Sequence, residues 1–138
     1  PSRFVTQKIV RGAVDIAEKR AEKLTLGNLD VSRDWGWAPD YVDAMARMLK
    51  RDEPDDYVVA TGTSSTLTGF VDAVFDCLGM KSSAYVETTP DLMRPTDIRV
   101  SVGDPAKAKA KLDWRADTTM PKLINRLVDA ELARRQTK

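Results

Sequence analysis

Residues 57–79 read YVVATGTSSTLTGFVDAVFDCLG, and this stretch decides the fold. Tyr57 to Thr61 is a compact run rich in β-forming residues that stops at Gly62, which predicts a buried strand. Behind it Ser64, Ser65 and Thr66 each offer an oxygen to the free N–H groups of a helix start. Leu67, Phe70, Val71, Val74, Phe75 and Leu78 then recur at helical spacing as a wide apolar stripe, and Gly79 supplies the stop. Strand, turn and helix in succession form the building unit of an α/β protein.

Working outward, Val5, Ile9, Ala13, Ile16 and Ala17 predict an amphipathic helix over 4–21 that begins almost at the first residue, so Pro1 reads as an internal cut through a longer polypeptide. Lys23 to Leu26 alternates and runs into a Gly27-Asn28 turn, a short strand. Pro39 opens a second helix with Tyr41, Val42, Met45, Met48 and Leu49 on its apolar side. Downstream, weaker strands are expected over 84–87 and 98–102, separated by a loop containing Pro90 and Pro95. Asp104-Pro105 starts a short helix ending near Leu112, and Leu123, Leu127 and Val128 mark a last helix over 120–135. The pattern is α/β throughout, with too few apolar strands for a complete doubly wound sheet, and residues 1–138 read as one domain that is part of such a fold. Strands left without their usual neighbours predict exposed edges and self-association.

Composition excludes several function classes. Apolar residues make up 42% and charged residues 31%, as in soluble globular chains. Twenty-two basic against 21 acidic residues leave a net charge of +1, which argues against a nucleic-acid or anionic-membrane partner. No apolar run is long enough for a membrane span, and the single cysteine, Cys77, is read as core filler in a reducing, cytoplasmic setting. Histidine is absent, so zinc sites of the usual kind and every serine–histidine or cysteine–histidine nucleophile drop out.

The glycines at 12, 27, 36, 62, 69, 79 and 103 never fall into the spacing of a dinucleotide-binding turn. Four residues after Tyr41, Tyr57 and Tyr85 stand Met45, Thr61 and Thr89, so no tyrosine has the lysine partner of a redox site. The chain therefore offers no catalytic, cofactor-binding or metal-binding residue of its own.

Three segments carry binding chemistry. In FVTQKI (4–9), Lys8 lies near a helix N-terminus where a phosphate can bind, although most helix lysines are simply solvated. In RDWGW (33–37), Arg33 offers a planar fork and the tryptophans a stacking surface; the plainer reading is a surface Arg33–Asp34 pair with core tryptophans. In RPTD (94–97), Pro95 stiffens the chain between Arg94 and Asp97, a unit suited to a phosphate plus a ribose hydroxyl, or to an ordinary ion pair in a turn. Together Lys8, Arg33 and Arg94 suit a focused diphosphate site.

These segments, with LGNLD at 26–30, DYVDAM at 40–45 and ATG at 60–62, closely resemble the GDP-mannose 4,6-dehydratases, extended short-chain dehydrogenase/reductase proteins. The resemblance covers nearly the whole chain, and RDWG followed by DYV carries it furthest. It implies the C-terminal, substrate-binding part of a Rossmann-like fold whose cofactor-binding half is absent. Val5, Lys8, Gly27 and Leu29 would line the GDP site, Arg33 and Arg94 would grip the diphosphate, and Asp97 would sit near the guanosine ribose. Two positions depart from the family: Arg3 replaces a common asparagine, and Trp37-Ala38-Pro39 replaces a histidine-containing variant.

The resemblance further implies that the intact enzyme holds NADP, forms homo-oligomers and converts GDP-mannose to GDP-4-keto-6-deoxymannose. Hydride would leave sugar C4, water would be lost across C5 and C6, and the hydride would return to C6, all on catalytic residues lying upstream. This chain alone would bind no cofactor; its partners would be GDP-mannose or GDP and the missing N-terminal half. A GDP-4-keto-6-deoxymannose reductase, another sugar-nucleotide epimerase, and a non-catalytic nucleotide-binding module stand as alternatives.

Overall fold

The computed structural model describes residues 4–92 and 96–137. The chain runs α1 (Val5–Ala17), β1 (Leu24–Leu26), β2 (Ser32–Asp34), α2 (Ala38–Met48), β3 (Ser64–Thr66), α3 (Leu67–Cys77), β4 (Val86–Thr88), α4 (Ala106–Leu112) and α5 (Met120–Gln136), with 3₁₀ turns at Ser82–Ala84 and Pro90–Leu92.

Helices α1, α3 and α5 pack on one another, and β1 lies against α1. The 3.6-residue period of α1 turns Ile9, Val10, Ala13, Val14 and Ile16 inward. Ile9, Val10, Ala13 and Ile16 meet Leu67, Phe70, Val71, Val74 and Phe75 of α3 and Ile124 and Val128 of α5. Phe70 and Phe75 are fully buried, so truncating either to alanine would cost about 3–5 kcal/mol. Thr66 caps α3 by accepting the Gly69 N–H at 3.0 Å, and Gly79 leaves the helix with φ +70°.

The strands are short. β1 pairs in parallel with β4, Leu24 opposite Val86 and Leu26 opposite Thr88, and the chain between them supplies the long crossover that a parallel pair needs. β2 pairs antiparallel with β3, and on its other side Ser32 bridges in parallel to Val100. A second, smaller core gathers Ala44, Ala108, Leu112 and Trp114 between α2 and α4, with the Trp114 indole donating to the Asp40 carbonyl at 2.9 Å.

Several expectations change. Residues 57–61 join no ladder: Tyr57 and Val59 pack on the second core, Val58 is exposed, and the Thr61 and Gly62 amides bind a side chain, the Asp34 carboxylate, in place of a neighbouring strand. Residues 98–102 form only the single bridge at Val100. The strands actually formed beside them, β2 and β3, are polar at all six positions and so gave no apolar signal. Val42, Met45 and Leu49 face solvent, because α2 turns Tyr41, Ala44 and Met48 to the second core. Cys77 is no core residue; it is exposed and donates to Asn125 Oδ1, while burial, Asp129 and Asp76 raise its thiol pKa.

An ion cluster ties α5 to α1. Glu131, only 5% exposed, accepts from Arg134 at 2.5 Å and from Arg135 at 2.9 Å, and Arg135 reaches on to Asp15 at 2.7 Å and Glu18 at 2.8 Å. Hydrogen bonds from Arg134 and Arg135 outweigh desolvation and lower the Glu131 pKa to about 2 from 4.5. A carboxyl depressed on folding stabilises fully above its unfolded value and loses that contribution as pH falls through the folded one. Glu131→Gln should therefore lower the unfolding free energy by about 2–3 kcal/mol at pH 7, and the gap to wild type should close between pH 4.5 and about 2. Urea unfolding of both proteins across that range checks it.

Candidate functional site

An open groove of about 400 Å³ lies where α1, β1, β2 and α3 begin or end. Its walls come from five separate places in the sequence: Val5 and Lys8 on the first turns of α1, Gly27 after β1, Arg33 on β2, Leu67 at the start of α3, and Asp97.

The N-terminus of α1 is built to face an anion. Phe4 caps it without a side-chain hydrogen bond, and no acidic residue stands in its first turn. Its first N–H groups therefore carry the positive end of the helix dipole without a side-chain partner among the described residues. Lys8 adds a cation there; its ammonium donates to the Thr25 carbonyl at 2.7 Å, which fixes its position and leaves further donors. Arg33 donates Nη1 to the Ser32 carbonyl at 2.8 Å, a bond that holds the guanidinium along its own strand. The surface Arg33–Asp34 pair does not form, since the Asp34 carboxylate is taken by Thr61 and Gly62.

Gly27 is required by close approach. A Cβ there would overlap the Leu92 carbonyl, which closes this part of the groove floor. Trp35 also lines the groove and packs on Phe70 with ring centroids 5.0 Å apart and the planes tilted by 41°; its indole nitrogen is buried without a hydrogen-bond partner among the described residues. Trp35 is shared with a second cavity of about 340 Å³ lined by Thr61, Thr63, Ser65 and Thr118.

Of the residues singled out in the sequence, Val5, Lys8, Gly27, Arg33 and Asp97 come together in this groove. Leu29 does not line it and instead packs, half-buried, on the main core. Arg94 lies outside the described residues. Leu67 and Leu92 were not anticipated, because the one reads as a helix core residue and the other as a loop apolar residue; nothing local marks either as groove lining.

The groove is lined by two cations, a helix N-terminus, a carboxylate and apolar surface. That arrangement can hold an anion, accept from a hydroxyl and stack a flat ring, but it contains no acid–base pair. Tyr41, packed against Gly36 outside the groove lining, has its pKa raised by burial and then by Asp34 and Asp40, the opposite of what a tyrosine base requires. Among the described residues no cluster of histidine, cysteine, aspartate or glutamate could hold a metal ion, and no helix is long and apolar enough to cross a membrane.

The sequence model of the family described as GDP-mannose 4,6 dehydratase matches residues 1–127. GDP-mannose 4,6 dehydratase 2 of Arabidopsis thaliana is 44% identical over 135 residues, covering 96% of this chain and 36% of that protein. The Homo sapiens GDP-mannose 4,6 dehydratase is 38% identical over 146 residues, covering 94% of this chain and 39% of that protein. In fold, the chain is similar to RMD from Pseudomonas aeruginosa complexed with NADPH, with TM-score 0.87, 20% identity, and coverage of 97% of this chain and 44% of that one. It is similar also to UDP-glucose 4-epimerase from Bifidobacterium longum in complex with NAD+ and UDP, with TM-score 0.77, 17% identity, and coverage of 94% and 39%. The chain spans less than half the length of each of these proteins.

Gly27→Ala should lower stability by about 1–3 kcal/mol, since the added methyl can be accommodated only by shifting the backbone at Leu92. A thermal melt reads the loss; an unchanged midpoint would mean that the 90–92 turn yields freely.

Proposed function

This chain belongs to the GDP-mannose 4,6-dehydratase family, and on that footing we propose that it forms the GDP-binding side of an enzyme that dehydrates GDP-mannose. Its fold is that of part of an extended short-chain dehydrogenase/reductase. The observation that carries the reading is the convergence of the α1 N-terminus, Lys8, Arg33 and Asp97 on one groove.

In this reading the diphosphate lies between the α1 N-terminus and the two cations, because N–H groups and a guanidinium fork complement phosphate oxygens. Asp97 accepts from a ribose hydroxyl, and Arg94 adds a second guanidinium. Val5 and the apolar floor near Gly27 support the base, with Leu29 behind it in the main core. Held this way, the sugar is oriented by bonds remote from its reacting carbons, which is how binding energy serves a chemical step performed elsewhere.

The described residues do not offer an NADP site of their own. After β1 the turn at Gly27 is filled by the Leu92 carbonyl, so its backbone is closed to a pyrophosphate. No helix among the described residues starts on a glycine turn directly after a parallel strand. The cofactor and the acid–base groups therefore belong to a further part of the enzyme, which is the first partner proposed for this chain. A second copy is the other, in a homo-oligomer.

The neighbours in fold below 25% identity share architecture only, whereas the relatives by sequence carry the dehydratase name; that favours the dehydratase over the reductase or epimerase reading. Titration of the chain with GDP, followed by two-dimensional amide NMR, should give saturable shifts centred on Lys8, Arg33 and Asp97, with weaker effects from UDP and ADP. Arg33→Ala should weaken GDP binding at least about tenfold. A well-dispersed spectrum without saturable shifts would overturn the assignment of the groove.

A further inference from the structure

We propose that Asp34 is a positioning residue: its carboxylate locks the strand carrying Arg33 to two separate loops and so fixes the Arg33 guanidinium against the segment that carries Asp97. The inference rests on the reading of the groove as a diphosphate site.

β2 is only three residues long, and successive side chains of a strand point to opposite faces. Arg33 lines the groove and Asp34 does not. On the far face the Asp34 carboxylate accepts four bonds. Oδ1 takes the Thr61 N–H at 3.0 Å and the Thr61 hydroxyl at 2.5 Å; Oδ2 takes the Gly62 N–H at 2.9 Å and, more distantly, the Gly103 N–H at 3.4 Å. Thr61 and Gly62 belong to the turn before β3, and Gly103 ends the segment that runs on from Asp97.

The same segment is tied to the other end of β2 through the backbone. Ser32 donates to the Arg99 carbonyl at 2.7 Å and accepts from the Ser101 N–H at 3.0 Å. Arg33 thus stands between two fastenings to residues 99–103, one made by the main chain at Ser32 and one by the carboxylate at Asp34. A three-residue polar pair such as β2–β3 has little stability of its own, so the strand's position is decided by these fastenings. Gly103 has no room for a side chain, since a Cβ would overlap that of Ala60, and the three segments are therefore in close contact where the carboxylate joins them.

A carboxylate suits this place and an amide does not. All four partners are donors, and an ionised aspartate is acceptor on both oxygens. In Asp34→Asn one oxygen becomes an NH2 group facing N–H donors, while the size and shape of the side chain are kept. The strand then loses either the bond from the Thr61 N–H or those from the Gly62 and Gly103 N–H groups.

The experiment compares GDP with guanosine on this chain by calorimetric or NMR titration, because their ratio of affinities isolates recognition of the diphosphate. Arg33→Ala sets the full loss of that ratio. Asp34→Asn is expected to lower the GDP-over-guanosine preference about tenfold while guanosine affinity stays within about twofold. Thr61→Val, which removes one donor and keeps the carboxylate, is expected to move the ratio in the same direction by less, and it carries the test if Asp34→Asn does not fold. An aspartate that only supports the fold would weaken both ligands in proportion, or neither; either result, or an unchanged ratio in Thr61→Val when that variant carries the test, overturns the inference. A wild-type chain that does not prefer GDP overturns the diphosphate reading itself, before any substitution is made, and the inference with it.

Discussion

Leu24 and Leu26 enter the core from one face of a three-residue strand, and nearly everything at the groove is placed by where that strand sits. A two-stranded parallel sheet has little stability on its own, so β1 is held by α1 behind it and by β4 beside it. Once β1 is fixed, the Thr25 carbonyl fixes the Lys8 ammonium, and Gly27 must pass beneath Leu92. The hydrophobic effect thus acts on the site at one remove: leucines buried on one side of the strand determine which polar groups meet on the other.

Charge in this molecule is arranged by locality and not by sum. The net charge of +1 conceals a depressed carboxyl at Glu131, a cluster of arginines around it, and a Lys107–Asp55–Lys111 group that pins the chain after α2 to α4. In these clusters each cation is paired with a carboxylate. What remains at the groove is the pair Lys8 and Arg33, whose donors are only partly used by neighbouring carbonyls. An anion approaching the protein meets a small positive area on a surface that is otherwise balanced, which favours a compact ligand over a polyanion.

The helices were legible in the sequence because their signals are local: α1 and α3 each repeat apolar residues at the helical period, and Thr66 and Gly79 mark the ends of α3 by their own conformational preferences. The strands were legible only where apolar, as at Leu24 and Leu26. β2 and β3 are made of serine, threonine, arginine and aspartate, and they pair because Asp34 and the Leu67 N–H bond to the Val31 carbonyl align them, long-range facts that no window of sequence contains. For the same reason Lys8, Arg33 and Asp97 were readable as residue types, while their convergence with Leu67 and Leu92 was not. Cys77 and the outer face of α2 were misread because apolar character was taken for burial, and a chain of this size leaves much apolar surface outside.

The second core joins α2 to α4 through Ala44, Ala108, Leu112 and Trp114 and makes its firmest links to the rest through polar bonds, such as Asp40 to the Thr118 N–H at 2.8 Å. Small apolar clusters bounded by hydrogen bonds open more readily than a three-helix core. The molecule therefore has the makings of two cooperative units, a larger one that carries the groove and a smaller one that opens more readily, joined where Asp34 holds Thr61, Gly62 and Gly103. Mutational drift would be expected to run faster in the second.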